Sequence, residues 1–203
     1  MIYLNQKYTK LFLDTVDTVL NSNTFLLKTE VDFDSIEELK TDISNFIKSK
    51  DFTNQLLEQD VTRNWWNFQT FDSKGNHLSK CKTEFVKPNF EIQLDELDEE
   101  KALLYLRAML TVEKNNYNFW SPYDKQINTD KAIDIVKNFI YEIVVDKQWK
   151  FFTLNTDFGY SKTEKRNKKT TMAYFEGDYG SDSASLIITE DKKAYLLLTN
   201  GID

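Results

Sequence analysis

The sequence predicts an α+β fold: N-terminal helices and a β-hairpin, two central helices, and a C-terminal antiparallel β-meander. Three observations carry that prediction. Apolar residues recur at helical spacing in four stretches, all before residue 147. Two strand-like runs flank the turn sequence DSKGN in the middle of the chain. From Gln148 onward the texture changes to short β-prone runs separated by turn-rich or charged connections. That change near residue 147 marks a candidate subdomain boundary. Residues 1–203 nevertheless read as a single α+β domain, because 40% hydrophobic residues suffice for one core and no repeat or linker interrupts them.

Taken in order, Tyr8, Leu11, Phe12, Val16, Val19 and Leu20 form one apolar stripe, so residues 5–21 read as an amphipathic helix. TFLLKTEVDF reads as a strand. In DSIEELKTDISNFIKSK, Ser35 and Glu38 have the spacing of a capping box, in which each side chain satisfies the other's free amide. A short helical turn is expected around Phe52 to Leu57. Residues 63–71 and 77–85 are expected to pair across the five-residue loop containing Gly75. A third helix, starting at Asp98, is apolar on most sides and is expected to lie deep. The fourth runs through TDKAIDIVKNFIYEIVVD. QWKFFTLNT, KTTMAYFEGDY, ASLIITE and KAYLLLTN supply the strands of the meander.

NNYNFWSPYDKQ, residues 115–126, joins the third and fourth helices. Pro122 disfavours helical geometry at Ser121, and asparagines surround the segment, so it reads as a loop. Tyr117, Phe119, Trp120 and Tyr123 either close the base of the helix pair or present rigid apolar faces to a partner. Trp65 and Trp66 pose the same question, because neighbouring strand residues point to opposite faces.

Charge narrows the function. With 33 acidic and 26 basic residues the net charge is −7, which argues against nucleic acid and anionic membrane as partners and suits a basic protein. Asp95, Glu96, Asp98, Glu99 and Glu100 concentrate that charge, whereas helix-dipole complementation needs only one or two acids. The N-terminus lacks the compact apolar run of a signal peptide and no stretch is long enough to span a bilayer, so a cytoplasmic location is expected.

Catalytic candidates are few. His77 and Cys81 are the chain's only imidazole and thiol. Four positions apart on one strand they would lie roughly 13 Å from each other, too far for a nucleophile and its base. Asp178 or Asp182, followed by an apolar strand and then Glu190 and Lys192, resembles in outline the order of acid, strand and Glu-x-Lys in metal-dependent nucleases. The same residues also make an ordinary hairpin turn. No catalytic residue, metal or cofactor is therefore assigned.

The sequence thus predicts a non-catalytic cytoplasmic protein-binding domain, specifically an acidic bacterial immunity or inhibitor protein that neutralises a toxin by occlusion. Trp65, Trp66, Tyr117, Trp120 and Tyr123 would supply contact area, and the five acids would steer a basic toxin domain. The alternative is a small metal-dependent hydrolase using Asp178 or Asp182, Glu190 and Lys192.

Overall fold

The apolar periodicities and strand runs assemble in the computed structural model, which describes residues 2–63, 65, 70–71, 77–78, 91–111, 117, 119–154, 159–163, 169–173 and 183–201. A 3-10 turn at Ile2–Asn5 leads into α1, Lys7–Leu20, and then β1, Ser22–Glu30. α2, Ile36–Ile47, and α3, Lys50–Thr62, follow. Next come the short strands β2, Thr70–Phe71, and β3, His77–Leu78, then β4, Leu94–Leu97, α4, Glu99–Thr111, and α5, Thr129–Val144. The C-terminal part supplies β5, Trp149–Leu154, β6, Gly159–Thr163, β7, Lys169–Ala173, β8, Ser183–Thr189, and β9, Lys193–Gly201.

The α+β class and the element order stand as the sequence predicts. So does the capping box: the Ser35 hydroxyl accepts from the Glu38 amide at 3.3 Å, and the Glu38 carboxylate accepts from the Ser35 amide at 3.2 Å. β2 and β3 pair antiparallel, Thr70 with Leu78 and Phe71 with His77, as the expected hairpin requires; residues 72–76 lie outside the described residues.

The main sheet is antiparallel, with strand order β1-β9-β8-β5-β4. β5, β8 and β9 form its middle, as a meander requires. β1 joins from the other end of the chain, pairing with β9 from Ser22↔Gly201 to Glu30↔Lys193. β7 does not belong to this sheet; it pairs with β6 in a separate ribbon.

Helices cover both faces of the sheet. On one side α1, α4 and α5 bury Phe12, Tyr105, Met109 and Phe139 against Leu26, Phe151, Ile187 and Leu197. On the other, α2 and α3 bury Leu39, Ile43, Phe52 and Leu56 against Phe25, Leu27, Phe152 and Leu196. A strand buried on both faces gains from apolar residues at every position, which explains the uninterrupted runs in SLIIT and AYLLL. Each fully buried Leu or Phe contributes roughly 1.5–3 kcal/mol relative to exposure. The same two-faced burial explains β4. Leu94 and Leu97 are three apart, so on a strand they face opposite sides, and each packs against a different core. LDEL is therefore a strand, and the third helix begins after it.

α3 is longer than the turn expected at Phe52 to Leu57, and its polar face has a specific task. β1 lies at one edge of the sheet, where unpaired backbone groups face outward. The Gln59 side chain donates to the Leu26 carbonyl at 2.8 Å and accepts from its amide at 3.0 Å. Gln55 repeats both bonds with Lys28, each at 2.8 Å, and Arg63 Nη1 donates to the Thr24 carbonyl at 3.3 Å. Four residues of helix rise about 6.0 Å and two residues of strand about 6.6 Å, so the i, i+4, i+8 series matches every second residue of β1. Side chains here take the place of a neighbouring strand.

α1 borrows its N-terminal cap. Gln6 makes no side-chain cap. Instead the Glu142 carboxylate of α5 accepts from the amides of Tyr8 at 2.9 Å and Thr9 at 2.7 Å. Among the described residues, no helix is long and apolar enough to cross a membrane.

Candidate functional site

The loop between α4 and α5 is divided in two by its contacts. Its far end returns to α4, where the Ile127 amide donates to the Leu110 carbonyl at 3.1 Å. Tyr117 and Phe119 turn inward and meet the buried Tyr105 edge-on, at 5.0 and 5.3 Å between ring centroids. Tyr105 also contacts Phe151 at 5.5 Å, and its hydroxyl is bonded to Ser183. Burial pushes that hydroxyl's pKa up to about 12, so Tyr105 is a neutral support for the loop.

Beyond Phe119 the chain turns outward. Ser121 is buried, its hydroxyl accepts from the Lys125 amide at 2.9 Å, and its carbonyl accepts from the Asp124 amide at 3.3 Å. Asp124 takes φ 51°, a left-handed conformation open to a short polar side chain. This pinned turn leaves Trp120 52% and Tyr123 61% exposed. Lys125 Nζ lies 5.3 Å from the Tyr123 ring centroid. The loop therefore closes the helix pair with two aromatics and displays the other two.

All five acids are exposed. Asp95 and Glu96 lie on β4, and Glu99 and Glu100 open α4. Asp98 accepts from the Lys101 amide at 2.9 Å and from Lys101 Nζ at 2.6 Å. These bonds hold its carboxyl below the usual carboxylate range. Glu96 pairs with Lys150 across the neighbouring strand at 3.3 Å. Asp95, Glu99 and Glu100 make no ion pair among the described residues.

A chain of core contacts joins β4 to the aromatic loop. Leu97 pairs with Phe151, Phe151 touches Tyr105, and Tyr105 carries Phe119, the neighbour of Trp120. Tyr117 packs on Tyr105, a residue of α4, so the loop folds back along that helix.

Trp65 has different surroundings. It is not a strand residue, because α3 extends to Thr62 and Arg63 caps it. The Arg63 guanidinium lies 4.5 Å from the Trp65 ring centroid, and Phe25 meets that ring edge-on at 4.8 Å. Half-buried, Trp65 lines a cavity of about 490 Å³ with Leu13, Asp14, Asp17 and Gln59. Arg63 donates there to Asp17 at 2.5 Å and to Asp14 at 2.9 Å. Burial pushes the Asp17 carboxyl up to about 7, against the pull of Arg63 and of a hydrogen bond from Thr24. The charges in this cavity answer one another. Trp66 lies outside the described residues.

No family model, no curated protein and no solved structure matches this chain.

Glu190 and Lys192 sit in the tight turn between β8 and β9, closed by the Lys192 amide donating to the Thr189 carbonyl at 2.9 Å. Lys192 pairs with Asp32. Asp191, between them, accepts from Thr189, Lys147 and Lys193, and these bonds hold its carboxyl well below the usual carboxylate range. Asp178, Asp182 and Cys81 lie outside the described residues, and His77 is placed in β3. Among the described residues no three acidic, His or Cys side chains gather as metal ligands.

Sequence reasoning missed a second acidic surface. Glu30, Asp32, Asp42, Asp51 and Asp191 come from separate segments to line an open groove of about 870 Å³ with Lys192. Its aromatic residue, Phe46, is buried, so this groove pairs charge with no displayed ring.

Proposed function

We propose that this chain is a non-catalytic protein-binding domain that docks a basic partner through Trp120, Tyr123 and the acidic corner made by β4 and the start of α4. One observation carries the reading: a loop anchored by Tyr117, Phe119 and Ser121 holds two large aromatics in solvent, while five exposed carboxylates stand on and beside β4 and the start of α4, which the loop's anchors reach through Tyr105 and Phe151. Rigid aromatic anchors lose little entropy on binding, and a field of one sign accelerates encounter with the opposite sign. Among the acidic surfaces described, this one combines both. Tyr117 supports the loop and Trp65 belongs to the Arg63 cluster, so contact area falls chiefly to Trp120 and Tyr123.

The most specific form of the proposal is a bacterial immunity protein, acting in the cytoplasm, that occludes a basic toxin domain. Glu190 and Lys192 lend the hydrolase alternative no support, being spent on a turn and on an ion pair with Asp32. Co-expression with the protein encoded by the adjacent gene tests the immunity form. Growth arrest by that protein alone, relieved by this chain and restored when Trp120 and the acids are replaced, is the expected result. Relief that survives those replacements would refute the assignment of the surface.

A further inference from the structure

The main sheet has two edges, and the fold treats them differently. At β1 the backbone groups facing outward at Thr24, Leu26 and Lys28 are occupied by Arg63, Gln59 and Gln55. At β4, the opposite edge, Leu94–Leu97 pair with β5 on one side. On the other side they make no further backbone hydrogen bond among the described residues. An uncovered strand edge is a template for another strand, and folded proteins generally block it. Here one edge is blocked by three side chains from one helix, while the other carries no such cover among the described residues.

We infer that the outer edge of β4 receives a basic extended segment of the partner, which adds to the sheet as a sixth strand. This rests on the proposed function and specifies how the partner is held. The geometry suits strand addition. Asp95 and Leu97 face one side of the sheet, Leu94 and Glu96 the other, so an added strand meets a carboxylate on each face. Lysines or arginines at neighbouring positions of that strand would pair with both. The same charges exclude a second copy of this chain as occupant, because two β4 strands side by side would set acids against acids. Glu99 and Glu100 extend the field past the end of the strand. Four residues of ladder form a short contact, and Trp120, linked to Leu97 through Phe119, Tyr105 and Phe151, extends it.

Amide hydrogen exchange of the full chain tests this. The probes are a ten-residue peptide of alternating lysine and valine and its counterpart of alternating glutamate and valine. The lysine peptide should slow exchange about tenfold or more at every second amide of Leu94–Leu97, and added salt should reverse the effect. The glutamate peptide should leave these amides unchanged. The paired substitutions Asp95→Asn and Glu96→Gln keep size and shape; they should weaken protection by the lysine peptide severalfold and flatten its salt dependence. Glu96→Lys should abolish it. Absence of protection at β4, equal protection by both peptides, or protection confined to β1 would overturn the inference. If a protein partner still needs Trp120 and the acids while β4 stays unprotected, strand addition falls and the broader binding reading stands. If partner binding ignores both features, the broader reading falls too.

Discussion

Replacing Gln59 with leucine separates the edge-sealing role of α3 from ordinary helix packing. Leucine fills similar volume and keeps helix propensity, and it removes the pair of hydrogen bonds that the Gln59 side chain makes to Leu26. Leu26 is fully buried, so water cannot replace them. Its carbonyl keeps a second donor, the Tyr3 hydroxyl at 3.1 Å, whereas its amide loses the Gln59 oxygen. An unpaired buried amide costs about 1–3 kcal/mol and the lost second bond about 0.5–1.5, giving about 1.5–4.5 kcal/mol in all. Gln55→Leu removes the same chemistry from Lys28, which is partly exposed; solvent can compensate there, and the loss should stay near ~1 kcal/mol. Urea unfolding followed by far-UV circular dichroism measures both variants. For a chain of this size each kcal/mol corresponds to roughly 2–4 °C in Tm. Equal losses for the two variants, or a Gln59→Leu loss below about 0.5 kcal/mol, would refute the view that these glutamines stand in for a strand.

Three other substitutions follow from the same reasoning. Glu142→Ala strips two amides of α1 of their borrowed cap and should destabilise by about 1–2 kcal/mol, with Glu142→Gln in between, as read by chemical denaturation. Val145 ends α5 at φ 48°, a left-handed conformation that a β-branched side chain resists, and it is exposed, so Val145→Gly should stabilise by about 1 kcal/mol; an unchanged or lower Tm contradicts this. Asp17 is protonated more readily when folded, at about 7, than its unfolded value near 3.8. Its contribution is therefore full below that lower value and is lost as pH rises towards 7. The stability of the wild type relative to Asp17→Asn should fall across that window, and a parallel pair of Tm-versus-pH curves would show the carboxyl to be unperturbed.

Local rules made much of the fold legible. Ser35 and Glu38 announce the start of α2 because both partners of a capping box lie within four residues. The stripes of α1 and α5 announce themselves because each packs one face. α3 outruns the short turn that the sequence predicts for a physical reason: Gln55, Gln59 and Arg63 spend its polar face on backbone groups of β1, a pairing that leaves no hydrophobic trace. Their spacing of four is the trace it does leave. β4 was hidden because leucines three apart read as helical unless both sheet faces are known to be buried. The acids announced exposure but not strand geometry. The division of the aromatic loop was equally out of reach, because it depends on Tyr105 and Phe151, which come from two distant elements.

In the proposed function, displayed rings and an acidic corner hold a basic protein. Stopped-flow association and dissociation rates of the partner, taken with the wild type and two variants at about 50 and 500 mM salt, test it most directly. Amide replacement of Asp95, Glu96, Glu99 and Glu100 should slow association at low salt and flatten its salt dependence, with dissociation changed little. Trp120→Ala should leave association within a few-fold and speed dissociation by about 30-fold, the equivalent of roughly 2 kcal/mol. Rates that are the same for all three proteins at both salt concentrations would contradict the account.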